Sequence, residues 1–241
     1  MAKIDRKTPK THFNIVCSTK GGKIFMANAL IYCKSGGGKT VNSTLVAAPK
    51  RKKNLLICTD NSSVVLQNFK RPNLEIQNVG SVKEFVDAYR AAYESKKFDN
   101  IILDNLSDLI DMWLLELDAS GKFKDFRQAY QLVYQSLKRL TRESTTLDCN
   151  TIFTAWCDIV DYPLPTGEVV NRLQPKLPSK ILDNICGLMN VVGYINTATG
   201  KDGKKRWYYV TEESPTLYAK DQIACRKSCM PADLFTMTAQ K

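Results

Sequence analysis

The glycine-rich segment at residues 33–40 constrains the fold more than any other feature of this sequence. It reads Cys33-Lys-Ser-Gly-Gly-Gly-Lys-Thr40, which fits the phosphate-loop pattern GxxxxGK(S/T) except that a cysteine stands at the first glycine. An apolar run at 27–33 predicts a buried strand before it, and a helix is predicted from Thr40. The apolar face of that helix would comprise Val41, Leu45 and Ala48. Strand, glycine loop and helix in this order predict a phosphate-binding α/β fold.

The residues of this loop have distinct expected roles. Its closely wrapped backbone N–H groups would hold phosphate oxygens along the whole loop. The predicted nucleotide-binding residues are Lys34, Ser35, Gly36, Gly37, Gly38, Lys39 and Thr40. The ammonium of Lys39 would neutralise the β- and γ-phosphates of ATP, and the hydroxyl of Thr40 would supply an oxygen to Mg²⁺. The alternative is a glycine-rich turn that binds no ligand.

Two acidic residues at predicted strand ends are candidates for the rest of such a site. Asp104 lies in the strand predicted at 98–106, and its carboxylate would hold Mg²⁺ through water. Asp60 ends the strand predicted at 54–60, on the edge where open α/β sheets bind ligands. Its carboxylate would orient the water that attacks the nucleotide. The alternative role for Asp60 is to cap a turn or a helix.

The remaining sequence alternates strand-like and helix-like segments. Apolar periodicity predicts a strand at 74–79, a helix from the capping box Ser81–Glu84, a long helix around 126–140 and a buried strand at 149–156. This alternation predicts an α/β fold with a mostly parallel sheet and helices on both faces.

The pattern changes after Trp156. Residues 157–180 contain four prolines and are predicted to form a long irregular loop. Strands are predicted at 188–195, at 205–211 and through residues 217–218, with a hairpin turn at 200–203. We therefore expect one domain at 24–241 with an antiparallel extension from about 188, preceded by a basic arm at 1–23.

The positive charge is concentrated at the start of the chain. The net charge is +11, and residues 1–53 contain 12 lysines and arginines against one acid, Asp5. A basic N-terminal segment followed by a chain of no net charge predicts a polyanionic partner such as nucleic acid. The alternative is a tail that only increases solubility. A second basic cluster lies at 172–206, where the alternative is ordinary hairpin residues. The predicted DNA-binding residues are Arg172, Lys176, Lys180, Lys204, Lys205 and Arg206.

Other function classes find little support in the composition. Eight cysteines form no CxxC pair and the single histidine is His12, so neither a zinc cluster nor a Ser-His-Asp or Cys-His site is expected. The longest apolar stretches are about ten residues, well short of the ~20 that span a membrane. We expect a cytoplasmic protein without a secretory signal.

These residues and their order resemble the RecA-like P-loop ATPases. They are most similar to the short RecA-core single-strand annealing proteins of bacteriophages, over about residues 24–235. The motifs that carry this resemblance are LIYCKSGGGKT, NIILDNLSDL, TIFTAW, LPSKILDNICGLMNVVGYI and YAKDQI. The resemblance implies ATP and Mg²⁺ bound between neighbouring subunits of a ring or filament, with DNA on loops that face its axis.

The resemblance also implies roles for single residues. Asp60 falls at the position of the catalytic carboxylate, and Lys220 where a basic residue reaches the neighbouring subunit's nucleotide. Gln222 stands where related ATPases often have a second basic residue, and Trp156 where RecA has a glutamine that senses the γ-phosphate. An indole cannot accept a hydrogen bond as an amide does. Together with Cys33, these departures predict slow ATP hydrolysis.

The resemblance implies a phage recombination protein. It would bind ATP–Mg²⁺ and single-stranded DNA in the cytoplasm of an infected bacterium and assemble as a homo-oligomer for annealing or strand exchange. A single-strand binding protein is a further expected partner. Two alternatives are an annealing scaffold with little ATP turnover and a helicase loader or motor ATPase of phage replication.

Overall fold

The computed structural model describes residues 26–47, 53–69 and 71–236. The predicted basic arm at 1–23 lies outside the described residues, as do Lys50, Arg51 and Lys52 of the basic N-terminal segment at 1–53. The strands are β1 (Asn28–Cys33), β2 (Lys53–Cys58), β3 (Leu74–Asn78), β4 (Phe98–Asp104), β5 (Asn150–Pro163), β6 (Val169–Pro175), β7 (Val191–Thr199), β8 (Lys205–Val210), β9 (Lys220–Asp221) and β10 (Ser228–Cys229). The α-helices are α1 (Lys39–Ser43), α2 (Val82–Ser95), α3 (Leu106–Ala119), α4 (Phe126–Ser144) and α5 (Ser179–Leu188).

The strands form one mostly parallel sheet. Its order is β10-β8-β7-β1-β5-β4-β2-β3, and the six strands from β7 to β3 along this path are mutually parallel. The strands β8, β9 and β10 add to it antiparallel, as β6 does to the outer half of β5. The predicted α/β architecture with an antiparallel C-terminal extension is thus confirmed.

Both faces of the sheet are covered, but by different kinds of structure. Leu30, Leu103 and Phe153 point to the face on which α2, α3, α4 and α5 pack. Ile31 and Ile102 point to the other face, which α1, the 3₁₀ helix Ser62–Asn68 and the C-terminal segment 223–235 cover. Because side chains alternate along a strand, Cys33 and Asp104 lie on the face of α1. That alternation gathers polar side chains beside the glycine loop.

The helix after the glycine loop is shorter than predicted. It ends at Ser43, and Leu45 is 37% exposed, so the predicted place of Leu45 on an apolar helix face is wrong; Ala48 lies outside the described residues. The hydroxyls of Ser43 and Thr44 donate to the carbonyls of Thr40 and Val41, at 3.2 and 2.8 Å. Such side-chain bonds compete with the helical backbone pattern and favour its end.

The strand predicted at 98–106 ends earlier, at Asp104. The side chain of Asn105 accepts a hydrogen bond from the backbone N–H of Asp108 at 2.8 Å and so caps α3. The helix α3 was not predicted from the sequence. Asparagine is a preferred N-cap residue, and this capping pattern was the missed signal.

The irregular loop predicted at 157–180 is wrong. The strand β5 runs on to Pro163 and pairs antiparallel with β6, after which α5 begins at Ser179. The prolines sit where they disturb little: Pro163 and Pro175 end the two strands, and Pro178 precedes the first helical residue.

The predicted hairpin at 200–203 is confirmed. Thr199 pairs with Lys205, and the Gly200 N–H donates to the Lys204 carbonyl at 2.9 Å. The strand predicted at 188–195 starts only at Val191, since 188 ends α5, and residues 217–218 lie outside the strands. Within the described ranges, no helix has the length and apolarity needed to cross a membrane.

Candidate nucleotide-binding site

The glycine loop connects the carboxyl end of β1 to the first residue of α1. Gly36 and Gly38 adopt φ angles of +72° and +90°, which side-chain-bearing residues rarely adopt. A Cβ at Gly37 would lie 2.5 Å from the Cys33 Sγ, so the thiol fills the space beneath the loop. The Cys33 Sγ itself donates to the Lys34 carbonyl at 3.2 Å. The cysteine at the first glycine of the motif is thus packed inside the loop.

Lys39 is held at the mouth of this loop. Lys39 is only 7% exposed, and it lines the cavity beside the loop. In the part of the chain that the structure describes, no carboxylate lies within ion-pair distance of its ammonium, and its side chain makes no hydrogen bond. A largely buried cation without a protein partner favours an anionic ligand.

The carboxylate of Asp104 is the centre of the polar cluster next to Lys39. Its residue is 1% exposed, and one oxygen accepts hydrogen bonds from Thr40 Oγ1 at 2.5 Å and from Ser62 Oγ at 3.2 Å. The other oxygen accepts a bond from Thr154 Oγ1. Burial raises the pKa of Asp104, although the bonds from Thr154 and Thr40 oppose this rise.

These groups fit Mg²⁺. A threonine hydroxyl and a buried carboxylate are the hard oxygen ligands that this ion prefers, with the remaining positions taken by water and phosphate. Among the described residues, no three His, Cys, Asp or Glu side chains form a metal cage. A site completed by nucleotide phosphates needs none.

Asp60 joins the same site from the loop after β2. Its Oδ2 accepts a hydrogen bond from the Asn105 amide at 2.7 Å, and its Oδ1 accepts one from the Ser62 N–H at 3.0 Å. The residue is half-buried and lines the cavity. Asp60 therefore caps a turn, as the alternative reading expected, and also presents its carboxylate to the candidate nucleotide site.

The cavity beside the glycine loop has a volume of about 220 Å³. Its lining residues are Ser35, Gly36, Gly38, Lys39, Thr40, Val41, Asp60, Ser62, Val65 and Trp156. It is smaller than the ~300–1,000 Å³ typical of ligand pockets. It can hold a polyphosphate, while a nucleoside would extend past its rim.

Trp156 forms one wall of this cavity, at the point where β5 pairs with Cys33 of β1. The ammonium of Lys176 lies 5.1 Å from the centre of its indole, a cation–π distance. The Lys176 backbone N–H also donates to the Trp156 carbonyl at 2.7 Å. A residue predicted to bind DNA thus lies directly behind the wall of the candidate nucleotide site.

Lys220 lies away from the loop of its own subunit. It is on β9, paired with Val192 on the sheet face opposite α1, and its ammonium donates to the Gly187 carbonyl at 3.2 Å. Burial lowers its pKa. The structure therefore does not bring Lys220 to the other predicted site residues within one chain.

The basic residues predicted to bind DNA fall into two groups. Arg172 is 6% exposed, and its guanidinium bonds Glu213 at 2.6 Å while lying over the rings of Tyr162 and Tyr218. It is a packing residue in this structure, which removes it from the proposed DNA interface. The others are exposed: Lys176, Lys180, Lys204, Lys205 and Arg206. Arg206 pairs with Asp202 at 2.7 Å.

Several residues of this site were not predicted from the sequence. Thr154 is a polar residue at a position of β5 that shares its face with Ile152, and this exception to an apolar strand was a usable signal. The sequence around Ser62 and Asn105 signalled no role in this site, because their contacts with Asp60 and Asp104 depend on the meeting of β2 and β4. Trp207 is the fourth such residue, because its indole lies next to the glycine loop: a Cβ at Gly38 would be 3.2 Å from the indole nitrogen.

The comparisons with known proteins agree with this geometry. A family model described as AAA domain matches residues 26–223, which is most of the chain. A search of curated proteins finds no match. The matched range contains the glycine loop, Asp60, Asp104 and Lys220. A mostly parallel sheet with a glycine loop between β1 and α1 is consistent with a P-loop NTPase fold. The chain therefore belongs to the AAA domain family, and this domain is of the P-loop ATPase type.

Proposed function

We propose that this protein binds ATP with Mg²⁺ and hydrolyses the ATP slowly to ADP and phosphate. One observation carries the proposal: Lys39 is largely buried, its ammonium has no protein partner in the described structure, and the residue lies beside the Thr40–Asp104 pair. A cation, an oxygen-rich metal position and a loop of closely wrapped N–H groups are the parts that a nucleoside triphosphate needs. The AAA domain match supports the same ligand.

Each residue would have a defined task in that reaction. Lys39 would neutralise the charge on the transferred phosphoryl group, and Thr40 and Asp104 would hold Mg²⁺, which supplies further positive charge when bound. Asp60 would accept a hydrogen bond from the attacking water and orient it. Its carboxylate is already fixed by Asn105 and Ser62, so little reorganisation is needed.

Slow turnover is expected because Trp156 lines the same cavity as Asp60. The indole N–H of Trp156 can donate a hydrogen bond, but the ring offers no acceptor for an attacking water. The cation–π contact of Lys176 further holds the ring in place. This observation favours a second candidate function, an annealing scaffold in which the bound nucleotide is structural.

The nucleotide part is tested with Lys39→Ala, measured by isothermal titration with ATP and Mg²⁺. The variant should lose nearly all ATP affinity and keep its melting temperature. Lys122→Ala, which removes an exposed lysine between α3 and α4, is the matched control and should bind ATP as the parent does. Equal affinity in the Lys39→Ala protein would remove this lysine, and with it the phosphate site, from the proposal.

We further infer that single-stranded DNA binds the exposed basic residues of the β7–β8 hairpin and of the β6–α5 region. Lys204, Lys205 and Arg206 project from the hairpin, and Lys176 and Lys180 flank the start of α5. Neutralising several phosphates should make the affinity fall steeply with salt, with a slope of about 0.7 per phosphate for single strands. Anisotropy of a labelled oligo(dT) measures that slope.

The Lys204→Ala/Lys205→Ala variant should bind the oligo(dT) more weakly and show a shallower slope. The matched control is Lys122→Ala/Lys124→Ala, which removes two lysines from the α3–α4 connection. Binding indifferent to salt, or confined to one duplex sequence, would contradict a sequence-tolerant single-strand interface.

The proposed biological role is phage recombination in an infected bacterium, by single-strand annealing or strand exchange in a homo-oligomer. Its support is the motif resemblance together with the position of Lys220, which faces away from its own nucleotide site. Electron microscopy with single-stranded DNA, with and without ATP, would reveal the ring or filament. Full annealing activity in Lys39→Ala would instead favour the scaffold.

A further inference from the structure

A tryptophan from the distant β8 strand packs directly against the glycine loop. Gly38 has φ +90°, and a Cβ there would lie 2.9 Å from the Asn42 side-chain nitrogen and 3.2 Å from the Trp207 indole nitrogen. The space on the Cβ side of Gly38 is therefore occupied by a side chain of its own helix and by a side chain of β8. Since Lys39 follows immediately, the indole borders the segment that would hold phosphate.

Among the described residues, the indole of Trp207 is packed on one side and partly open on the other. Its ring packs against the buried cluster beneath the loop, together with Tyr209, Cys33 and Val41. In residues 26–47, 53–69 and 71–236, no acceptor bonds its indole N–H. The side chain is half-buried, so one part contacts the loop and another faces solvent.

Among the described residues, the strand that carries Trp207 is paired along only part of its outer edge. The strand β10 pairs with β8 only at Tyr209 and Val210, while β7 pairs with all of β8. Within the described part of the chain, residues 205–208 therefore have a ladder partner on one side only. Displacement of Trp207 would move the basic end of the hairpin, because Lys205 and Arg206 directly precede it along the strand.

We propose that Trp207 is a positioning residue of the phosphate loop, and that through it the β7–β8 hairpin responds to nucleotide binding. This inference rests on the proposed nucleotide binding. Phosphate held by the loop would fix the backbone at 36–39, and the indole nitrogen lies 3.2 Å from the Cβ position of Gly38 in that segment. Ordering of the loop therefore orders Trp207 and the strand behind it. A nucleoside extending past the rim of the small cavity would leave this contact in place.

The first test uses the emission of Trp207 alone. The chain has three tryptophans, so Trp113→Phe with Trp156→Phe leaves one reporter. A non-hydrolysable ATP analogue with Mg²⁺ should shift its emission. Without nucleotide, Gly38→Ala should also shift it, whereas Gly36→Ala should not. Gly36 is the matched control, because it too has a positive φ but has nothing within 4 Å of its Cβ position.

The second test separates positioning from a purely structural role. Trp207→Ala should weaken binding of the analogue by at least about fivefold, and Trp207→Phe should restore most of it, since a flat ring can still pack on Gly38. Trp113→Phe, on the opposite face of the sheet, should leave the affinity unchanged. In the parent protein, the analogue should slow hydrogen exchange at 197–208, and in Trp207→Ala it should not.

The outcomes distinguish this proposal from the one it rests on. If the parent protein binds no ATP, the proposed function fails. If the parent binds ATP but Trp207→Ala binds it equally well and its hairpin shows the same nucleotide-dependent exchange, Trp207 is not a positioning residue. Unchanged emission of the sole Trp207 at saturating analogue would also overturn it.

Discussion

Replacing Arg226 by methionine should destabilise the fold severely, because its guanidinium is the cation of a buried ion pair. The Arg226 and Asp221 side chains are 3% and 1% exposed, and their Nε and Oδ2 atoms lie 2.6 Å apart. Arg226 also donates to the carbonyls of Asp233 and Leu234, at 2.6 and 2.9 Å. It therefore fastens the C-terminal segment to the sheet face that lies beneath the glycine loop.

The magnitude follows from what the substitution leaves behind. Methionine preserves most of the volume but leaves a buried carboxylate without its cation, which costs about 3–5 kcal/mol. For a chain of this length, 1 kcal/mol corresponds to roughly 2–4 °C in melting temperature, so a fall of about 6–20 °C is expected. Asp221→Asn in the Arg226→Met background should recover part of the loss, since it removes the unpaired charge.

The pH dependence provides a second measure of the same pair. Burial works to raise the pKa of Asp221, but the bonds from Arg226 and from backbone N–H groups outweigh it and hold the pKa below its usual value. The pair therefore contributes stability above the unfolded pKa of about 3.9, and this contribution is lost as the pH falls through the lower folded pKa. The difference between parent and Arg226→Met should shrink below about pH 4.

The assay is reversible urea unfolding of the parent, the two single variants and the double variant, at pH 7 and below pH 4. An Arg226→Met protein within about 1 kcal/mol of the parent at pH 7 would refute the reasoning. So would a double variant that is less stable than Arg226→Met, because then the buried carboxylate would not be the source of the cost.

Three further predictions concern the candidate site. Because burial raises the pKa of Asp104, its charged carboxylate destabilises the folded protein once the pH has risen through that pKa. Without ligand, the Asp104→Asn protein should therefore have a melting temperature at pH 8 no lower than that of the parent. Addition of Mg²⁺–ATP should raise the melting temperature of the parent only. Burial raises the pKa of Cys33 to about 11, so alkylation at pH 8 followed by peptide mass spectrometry should modify the exposed Cys225 and spare Cys33, whose labelling should rise about tenfold per pH unit towards pH 10. Lys220→Ala and Asp104→Asn proteins should each hydrolyse ATP poorly and regain partial activity when mixed; no recovery in mixtures that co-assemble would remove Lys220 from the mechanism.

The part of the fold predictable from sequence was the part governed by local pattern. The buried strands around the glycine loop, Asp60 and Asp104 were apolar runs ending in polar residues, and their order along the chain predicts a parallel sheet. The β5–β6 hairpin was missed because four prolines in 24 residues indicate a loop, while their compatibility with strand ends depends on pairing register. Register is a long-range property and leaves little trace in local composition.

The site divides in the same way. Lys39 and Thr40 follow from a motif, since one short segment supplies the backbone geometry and both side chains. The burial of Arg172 could not be predicted, because the groups that hold it, Tyr162, Glu213 and Tyr218, come from segments far apart in sequence. A cluster of basic residues in a sequence shows how many charges are present, but it does not distinguish a solvated arginine from a buried one.

The long strand β5 runs from the wall of the candidate nucleotide cavity to the outside of the molecule. Its inner half ends at Trp156 in the cavity, and residues 157–163 continue for about 23 Å with β6 as their only ladder partner in the described chain. Arg172 pairs with Val160 about halfway along this segment, and its ion pair with Glu213 connects the two strands to the rest of the protein. A tilt of about 5° at Trp156 would carry the exposed tip about 2 Å, so ångström-scale adjustments around a phosphate would be magnified where another molecule could touch them.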